Sequence, residues 1–258
     1  FSASNAFKSV DSGQARVALL CGFGLRYHGR PRPPDVPQAP SADLVLAPDG
    51  RGMVVATAMA AGTSEGQQDA GGRAIAALRA AGILTPGNRT DHAAGIYQSD
   101  TGEVTLETVA QRLVVNSRRC AGAALKPGTT ADAGVLTAIT SNTAATIAVG
   151  SLDGRPLDDS RRMLLVYATD AVNTGQETSA DRVVLRQAGT LPILVETGVM
   201  SARLRNAHAD RLRCHALALD GSRSAVVPLQ AMEGILHLSI DTARLAGGPA
   251  LFFELSVE

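Results

Sequence analysis

The chain has 258 residues, of which 45% are hydrophobic and 19% charged, so it can bury a substantial core and lacks the composition of a disordered protein. Lys and Arg total 24, as do Asp and Glu, and this zero net charge argues against a nucleic-acid binder. Aromatic residues make up 3% and Trp is absent, which disfavours a platform that stacks sugar rings. The sequence has no run of 18 apolar residues, so no membrane-spanning helix is predicted, and no signal peptide is visible.

The first 90 residues predict a small mixed α/β segment. An apolar run over 15–24 favours a helix up to residue 21, ended by Gly22. Five prolines within 31–40 predict an extended crossing, because proline fits neither a helix interior nor a central strand.

Two further elements are expected before residue 90. Apolar runs at 44–46 and 53–58 flank the Asp49-Gly50 turn signal and predict a hairpin. The Ala- and Leu-rich stretch 73–81, followed by Gly82, predicts a short helix.

From residue 95 onward the pattern changes to short strands separated by turns, at roughly 8–12 residue spacing. Apolar and polar residues alternate most clearly in 212–219 and 235–240, as in strands with one buried face. The chain is therefore predicted to be mainly β, with an antiparallel β-sandwich over 91–258 after the α/β segment 1–90. Strands are expected over 95–98, 103–106, 112–116, 135–140, 146–150, 162–169, 182–187, 193–197, 201–205, 212–219, 225–229, 235–240 and 251–257.

The segment 151–175 predicts a turn, a strand and a second turn. Its first five residues after Ser151, Leu-Asp-Gly-Arg-Pro, contain the Asp-Gly hairpin signal. The run 162–169 is apolar in its centre and long enough for a buried strand. The Asn-Thr-Gly sequence at 173–175 is then expected to end that strand.

The densest polar motif is Ser-Asp-Thr-Gly-Glu at 99–103, in which two carboxylates lie three residues apart. A glycosidase needs two carboxyl groups about 5–5.5 Å apart for retention or roughly 6.5–9.5 Å apart for inversion, and Asp100 and Glu103 flank a turn that could provide this. The alternative is structural: Asp100 accepts backbone N–H bonds in an Asx-turn, and Gly102 supplies the unusual φ.

No metal or cofactor motif is present. The histidines lack HExxH or HxH spacing, although His215 and His237 fall in predicted strands and could be cross-strand neighbours. The three cysteines are far apart, and no GxSxG elbow, phosphate loop or strand-linked GxGxxG occurs. We therefore predict no metal and no cofactor, and the residues assign no catalytic set.

Four stretches carry a resemblance to a known family: 97–106, 112–120, 151–175 and 248–255. In that family a Ser-Asp-Thr-Gly-Glu stretch opens the strand run, and a Leu-Asp-Gly-x-Pro-Leu turn leads through a strand to an Asn-Thr-Gly turn. The second half of this chain resembles the C-terminal β-sandwich region of bacterial glycoside hydrolases with a (β/α)8 catalytic barrel, of the cellulase- and β-galactosidase-like type.

The resemblance implies that the chain is the C-terminal portion of a periplasmic or secreted bacterial glycoside hydrolase acting on a polysaccharide. The sandwich 91–258 would brace the catalytic barrel, and 1–90 would be the end of that barrel with its Pro-rich crossing. The family's catalytic glutamates lie at barrel strand ends that no stretch here matches, so whether this chain is itself an enzyme stays open. The expected partners are a polysaccharide or oligosaccharide and a catalytic barrel domain in the same or a missing segment, with no nucleic acid and no membrane span.

The same resemblance makes four polar residues the best candidates for contact with a sugar or with the interdomain seam: Asp100, Glu103, Asn173 and Thr174. It also predicts a large exposed apolar patch, since a face made for docking is apolar. Two alternatives stay open. One is a non-catalytic carbohydrate-binding or polysaccharide-assembly module with a groove lined by Tyr97 and Tyr167, and the other is a structural interaction sandwich with paired sheet edges.

Overall fold

The computed structural model describes three backbone strands at 17–21, 44–46 and 53–57, and residues 75–258 except positions 77, 81, 83 and 181. Strands make up 51% and helix 4%, so the protein is mainly β with antiparallel sheets, as predicted. The chain divides into two compact units, residues 1–110 and 111–258, and the predicted boundary at 90/91 stays a prediction. The Pro-rich run 31–40 lies outside the described residues. Among those described, no helix is both long and apolar enough to cross a membrane.

The first unit begins with a three-stranded sheet of β1 (Val17–Cys21), β2 (Leu44–Leu46) and β3 (Met53–Thr57). The antiparallel pairing of β2 with β3 confirms the predicted hairpin. The predicted helix over 15–21 is wrong, because β1 is a strand that pairs with β3 in parallel. A short, uninterrupted apolar run is typical of parallel strands and cannot be distinguished from a buried helix by periodicity.

A short helix and a hairpin complete the described part of the first unit. Residues 75–76 and 78–80 are helical, as predicted, and the turn ends at Gly82, whose φ is +68° and whose N–H bonds to the carbonyl of Arg79. The hairpin consists of β4 (Ile96–Gln98) and β5 (Val104–Glu107) in antiparallel register.

The second unit contains two antiparallel sheets. The strands of the first are β6 (Arg112–Asn116), β7 (Cys120–Leu125), β10 (Ala145–Ser151), β11 (Arg162–Ala168), β17 (Leu212–Leu217), β18 (Arg223–Val227) and β21 (Phe252–Val257), and those of the second are β8 (Thr130–Ala133), β9 (Leu136–Ser141), β16 (Val199–Arg205), β19 (Gln230–Met232) and β20 (Ile235–Asp241). The first sheet has the order β18-β17-β21-β11-β10-β7-β6, and the second β19-β20-β16-β9-β8. A 3-10 turn, Thr242–Arg244, follows β20.

Alternate residues of both sheets point into one shared core. Strand β11 buries Met163, Leu165 and Tyr167, and strand β16 of the other sheet buries every second residue in the same way. The Tyr167 hydroxyl lies 2.9 Å from Ser141 Oγ of β9, so a buried hydrogen bond links the two sheets. Burial raises the pKa of Tyr167.

Between β11 and β16 the chain forms four more strands, β12 (Ala171–Thr174), β13 (Glu177–Thr178), β14 (Leu185–Gln187) and β15 (Thr190–Val195). The prediction that 173–175 ends the preceding strand is wrong in detail, because β11 already ends at Ala168 and Asn173 lies within β12. The suggested cross-strand pairing of His215 and His237 is also wrong. His215 lies in the first sheet opposite Glu254, whereas His237 lies in the second.

Candidate functional site

The first predicted pair, Asp100 and Glu103, lies in the turn that joins β4 to β5. Ser99 holds this turn: its carbonyl accepts the Gly102 N–H at 3.0 Å and its Oγ accepts the Val104 N–H at 3.2 Å. Glu103 accepts a hydrogen bond from Thr101 Oγ1 at 3.2 Å, and Gly102 has the predicted positive φ of +77°. Both carboxylates are half-buried. Their contact with a sugar stays a prediction.

The second predicted pair, Asn173 and Thr174, lies side by side in β12 of the other unit. Asn173 Nδ2 donates to the carbonyl of Ala188 at 2.9 Å, and Thr174 Oγ1 donates to the carbonyl of Pro192 at 2.7 Å. Both side chains therefore hydrogen-bond β12 to the segment that pairs with it in antiparallel direction. Their role beside a sugar also stays a prediction.

The two residues belong to a long β-hairpin, which we call the 170–196 hairpin. Strands β12 and β13 run outward and β14 and β15 return, with Ala171 opposite Val195 and Glu177 opposite Gln187. The ribbon is interrupted midway at Gly175 and Gly189, which both have φ of +71°. Gly189 is required there, because a Cβ atom would lie 2.6 Å from the Thr174 carbonyl oxygen.

The tip of the hairpin folds back onto its base. The Arg182 guanidinium, near the tip, donates to both carboxylate oxygens of Asp170, at 2.5 and 3.1 Å. This hydrogen bond lowers the pKa of Asp170 and raises that of Arg182. The base is tied to the rest of the unit through Glu196, whose N–H bonds to the carbonyl of Asp170 and whose carboxylate accepts from Thr143 Oγ1 at 2.6 Å.

The described residues of the hairpin lie outside the core. None of its described residues from 170 to 197 is buried, whereas β11 and β16 on either side each bury three. Six large apolar side chains of the described hairpin are nevertheless 50–78% exposed: Val183, Val184, Leu185, Leu191, Ile193 and Leu194. Large exposed apolar patches on protein surfaces are often sites of interaction.

A second polar cluster lies on the outer face of the first sheet around Glu254, whose side chain is 8% exposed. Its carboxylate accepts from Arg162 Nε at 2.6 Å and from Arg223 Nε at 2.8 Å. Burial alone would raise the pKa of Glu254, but the two arginines outweigh it and hold that pKa below its usual range. Arg223 also bonds to Ser256 Oγ at 3.0 Å. These ion pairs join the strands β11, β18 and β21.

A third cluster organises the loop between β10 and β11. Asp153 accepts four hydrogen bonds at 2.8–3.2 Å, from the hydroxyls of Ser151 and Ser160 and from the N–H groups of Arg155 and Arg161. Burial alone would raise the pKa of Asp153, but these bonds, led by the Arg161 N–H, hold it far below its usual range. Asp153 of the predicted Asp-Gly turn thus has a structural role.

The described residues were compared with the grouping that a metal site requires. Among them, no three His, Cys, Asp or Glu side chains are grouped as metal ligands would be. Cys214 is buried, and burial raises the pKa of its thiol to about 12, so it is a packing residue of the core.

Three comparisons with known proteins gave no match. No protein-family model matches it, and neither a curated protein nor a solved structure is significantly similar. Sequence reasoning did place strands at 182–187 and 193–197, but the exposure of their apolar residues and the contact between Arg182 and Asp170 carried no signal in the sequence.

Proposed function

We propose that the second unit is an interaction module that docks against another folded protein surface through the 170–196 hairpin. The observation that carries this proposal is the set of six exposed apolar side chains in a segment whose described residues are all exposed or half-buried. A two-stranded hairpin is marginally stable in water unless a further strand or a packed surface covers it. Docking supplies that cover.

Within this proposal the module is an antiparallel β-sandwich. Its support is the single hydrophobic core, to which the inward residues of both sheets contribute, including Leu165 and Phe253 from one sheet and Leu204 and Leu238 from the other. Two sheets whose inner faces share a core about 10 Å thick are the defining feature of a sandwich. The sandwich would be a rigid body, and the hairpin would be the segment through which it docks.

The exposed apolar area is sufficient for a specific contact. Fully burying a Val, Leu or Ile side chain contributes about 1.5–3 kcal/mol, and these six are on average about 60% exposed, so docking all of them contributes about 5–11 kcal/mol. Association costs roughly 4–15 kcal/mol before any gain appears. The hairpin therefore supports stable docking when its partner adds a comparable apolar surface.

The sequence resemblance suggests the protein to which the module belongs. We propose that this is a periplasmic or secreted bacterial glycoside hydrolase that acts on a polysaccharide, in which the sandwich braces the catalytic barrel. Direct sugar binding is the weaker candidate, because Tyr167 is fully buried and cannot stack on a sugar ring. Tyr97, the other aromatic residue suggested for such a groove, has its hydroxyl 2.8 Å from Nδ1 of His92.

A site-specific photo-cross-linking amino acid at Leu194 tests the docking role in the protein made by its native host. The matched control is the same group at Leu219, which is 88% exposed but lies in the turn between β17 and β18. We expect a discrete adduct from position 194 and none from position 219. Peptide mapping then identifies the partner, and release of reducing sugar by the purified adduct tests the hydrolase setting. Equal cross-linking at both positions, or none at position 194, contradicts the docking role.

A further inference from the structure

The outer face of the second sheet carries two polar rows that cross several strands. The first row contains, in order across β19, β20, β16 and β9, Gln230, His237, Arg203 and Thr137. The second row consists of hydroxyl side chains on β20, β16, β9 and β8: Ser239, Ser201, Thr140 and Thr130. The residues that alternate with them, such as Leu204, face the core. Because neighbouring strands lie about 4.8 Å apart, each row is roughly 14 Å long.

The fold leaves the polar side chains of this face without partners. Across the part of the chain that the structure describes, no hydrogen bond or ion pair engages the side chains of either row, or of Arg205, the next outward residue of β16 after Arg203. The outer face of the first sheet differs, because its arginines Arg162 and Arg223 share the carboxylate of Glu254. Arg203 and Arg205 are therefore available to a ligand.

The acids of the second sheet do not neutralise these two arginines. Its strands contain two acids, and both are engaged elsewhere: Asp132 accepts the N–H of Ala138 at 2.8 Å, and Asp241 pairs with Arg244 at 3.2 Å. Glu233 lies in the turn that joins β19 to β20, beyond both rows. The middle of the face is thus positively charged.

Strand β9 contains an extra residue that aligns its two threonines. Ser201 and Arg203 are two residues apart on β16, yet they lie opposite Thr140 and Thr137, which are three apart on β9. In a regular strand, residues three apart point to opposite faces, so this bulge is what lets both threonines face outward. The extra residue, Ala138, has φ of +50°, which residues other than glycine rarely adopt, and such strained positions are concentrated at functional sites.

The chemistry of the face matches a sugar polymer that carries carboxylates. A guanidinium group binds a carboxylate with two parallel hydrogen bonds. Hydroxyl and amide side chains both donate and accept, as the hydroxyls of a sugar do. The strands of this sheet contain no Phe, Tyr or Trp on which the bases of a single-stranded nucleic acid would stack, and the chain has no basic excess. The rows extend across several strands, so the ligand they fit is an extended chain.

We propose that the outer face of the second sheet binds an extended polysaccharide that carries carboxylate groups. Arg203 and Arg205 pair with the carboxylates, and the two polar rows bond to the sugar hydroxyls. Such recognition needs no aromatic side chain for stacking. The face lies on strands other than those of the 170–196 hairpin, so this site is independent of the docking function and adds a ligand to the module.

Titration calorimetry of the chain with a purified oligogalacturonate at low ionic strength tests the site. We expect binding that weakens as salt is raised, and no binding of a neutral glucan of the same length. Arg203→Glu should weaken binding at least about tenfold, because an attraction becomes a repulsion. Arg203→Lys keeps the charge but loses the planar fork, so it should weaken binding less.

The matched control is Arg213→Glu, which makes the same change of charge on the outer face of the first sheet. It should bind the oligomer within about threefold of the wild type, because charges on opposite faces are screened from each other. Circular dichroism and urea midpoints confirm that the variants are folded, as expected for Arg203, whose exposed side chain has no partner among the described residues.

The proposal is contradicted if the uronate oligomer does not bind, if the neutral glucan binds equally well, or if Arg203→Glu and Arg213→Glu lose the same affinity. Tighter binding of a single-stranded oligonucleotide than of the uronate oligomer would assign the face to nucleic acid instead. Uronate binding without a cross-linked adduct at Leu194 would support this site and contradict the docking role, so the two proposals fail separately.

Discussion

Asn206 holds the loop between β10 and β11 against the start of the turn that precedes β17. Its side chain is 1% exposed, and all its polar atoms are used. Nδ2 donates to the carbonyls of Leu157 and Ser160 at 2.7 and 3.0 Å, and Oδ1 accepts the N–H of His208 at 2.7 Å. Asn206→Ala leaves these three backbone groups without their partner. An unsatisfied buried group costs about 1–3 kcal/mol, so even the lower figure predicts a loss of about 3 kcal/mol in the free energy of unfolding.

Urea-induced unfolding followed by circular dichroism measures this loss, and the melting temperature should fall by about 6–12 °C. Asn142→Ala is the matched control. Asn142 is exposed and its Oδ1 accepts only the N–H of Val199, so its replacement should cost about 0.5–1.5 kcal/mol. If Asn206→Ala lies within about 1 kcal/mol of the wild type, the loop is not held in the way described.

Three further outcomes follow from the second unit. Gly122→Ala should lower the free energy of unfolding by about 1–3 kcal/mol, because the added Cβ would lie 2.6 Å from backbone and side-chain atoms of Ala148. Gly150→Ala is the control and should be neutral, because its added Cβ would meet no atom within 4 Å. Equal urea midpoints for the two variants would count against this packing. The pKa of Glu254 is lower in the folded than in the unfolded chain, so its contribution to stability is present above the unfolded value of about 4.3 and is lost as the pH falls below it. Glu254→Gln should therefore flatten the fall of stability in acid, and an unchanged slope would contradict the assignment. Cys214, whose pKa burial raises to about 12, should resist alkylation by iodoacetamide until the unit unfolds, and rapid labelling of the native protein, read by mass spectrometry, would show that the thiol is accessible.

Strands with a regular apolar alternation were predictable from sequence. The predictions over 212–219 and 235–240 are confirmed as β17 and β20, because alternate residues of each, such as Leu236 and Leu238, face the core. A side chain that alternates between core and solvent leaves the same period of two in the sequence and in the structure.

Strands made of small or uniformly apolar residues were not predictable in the same way. Strand β7 was missed because its sequence, Cys-Ala-Gly-Ala-Ala-Leu, is built from residues with low strand propensity. Gly122 is nevertheless required there, since a Cβ would collide with the neighbouring strand β10. Strand β1 was assigned to a helix because five consecutive apolar residues have no period that separates the two structures.

The candidate site was beyond sequence reasoning for a different reason. The apolar residues of 182–187 and 193–197 predict strands, and such residues are normally expected to face a core. Their exposure depends on where the hairpin leaves the sheets, which is a property of the whole fold. The contact of Arg182 with Asp170 likewise depends on the interruption at Gly175 and Gly189, which lets the tip fold back.

Hydrogen–deuterium exchange of the hairpin amides tests the docking role most directly. The exchange of residues 185–195 would be followed by mass spectrometry in the purified chain alone and in the adduct formed through position 194, with the β17–β18 turn at 218–222 as an internal reference. We predict that the hairpin amides exchange at least about tenfold more slowly in the adduct, while the reference turn is unchanged. Hairpin exchange that is equally fast in both would contradict docking through this hairpin.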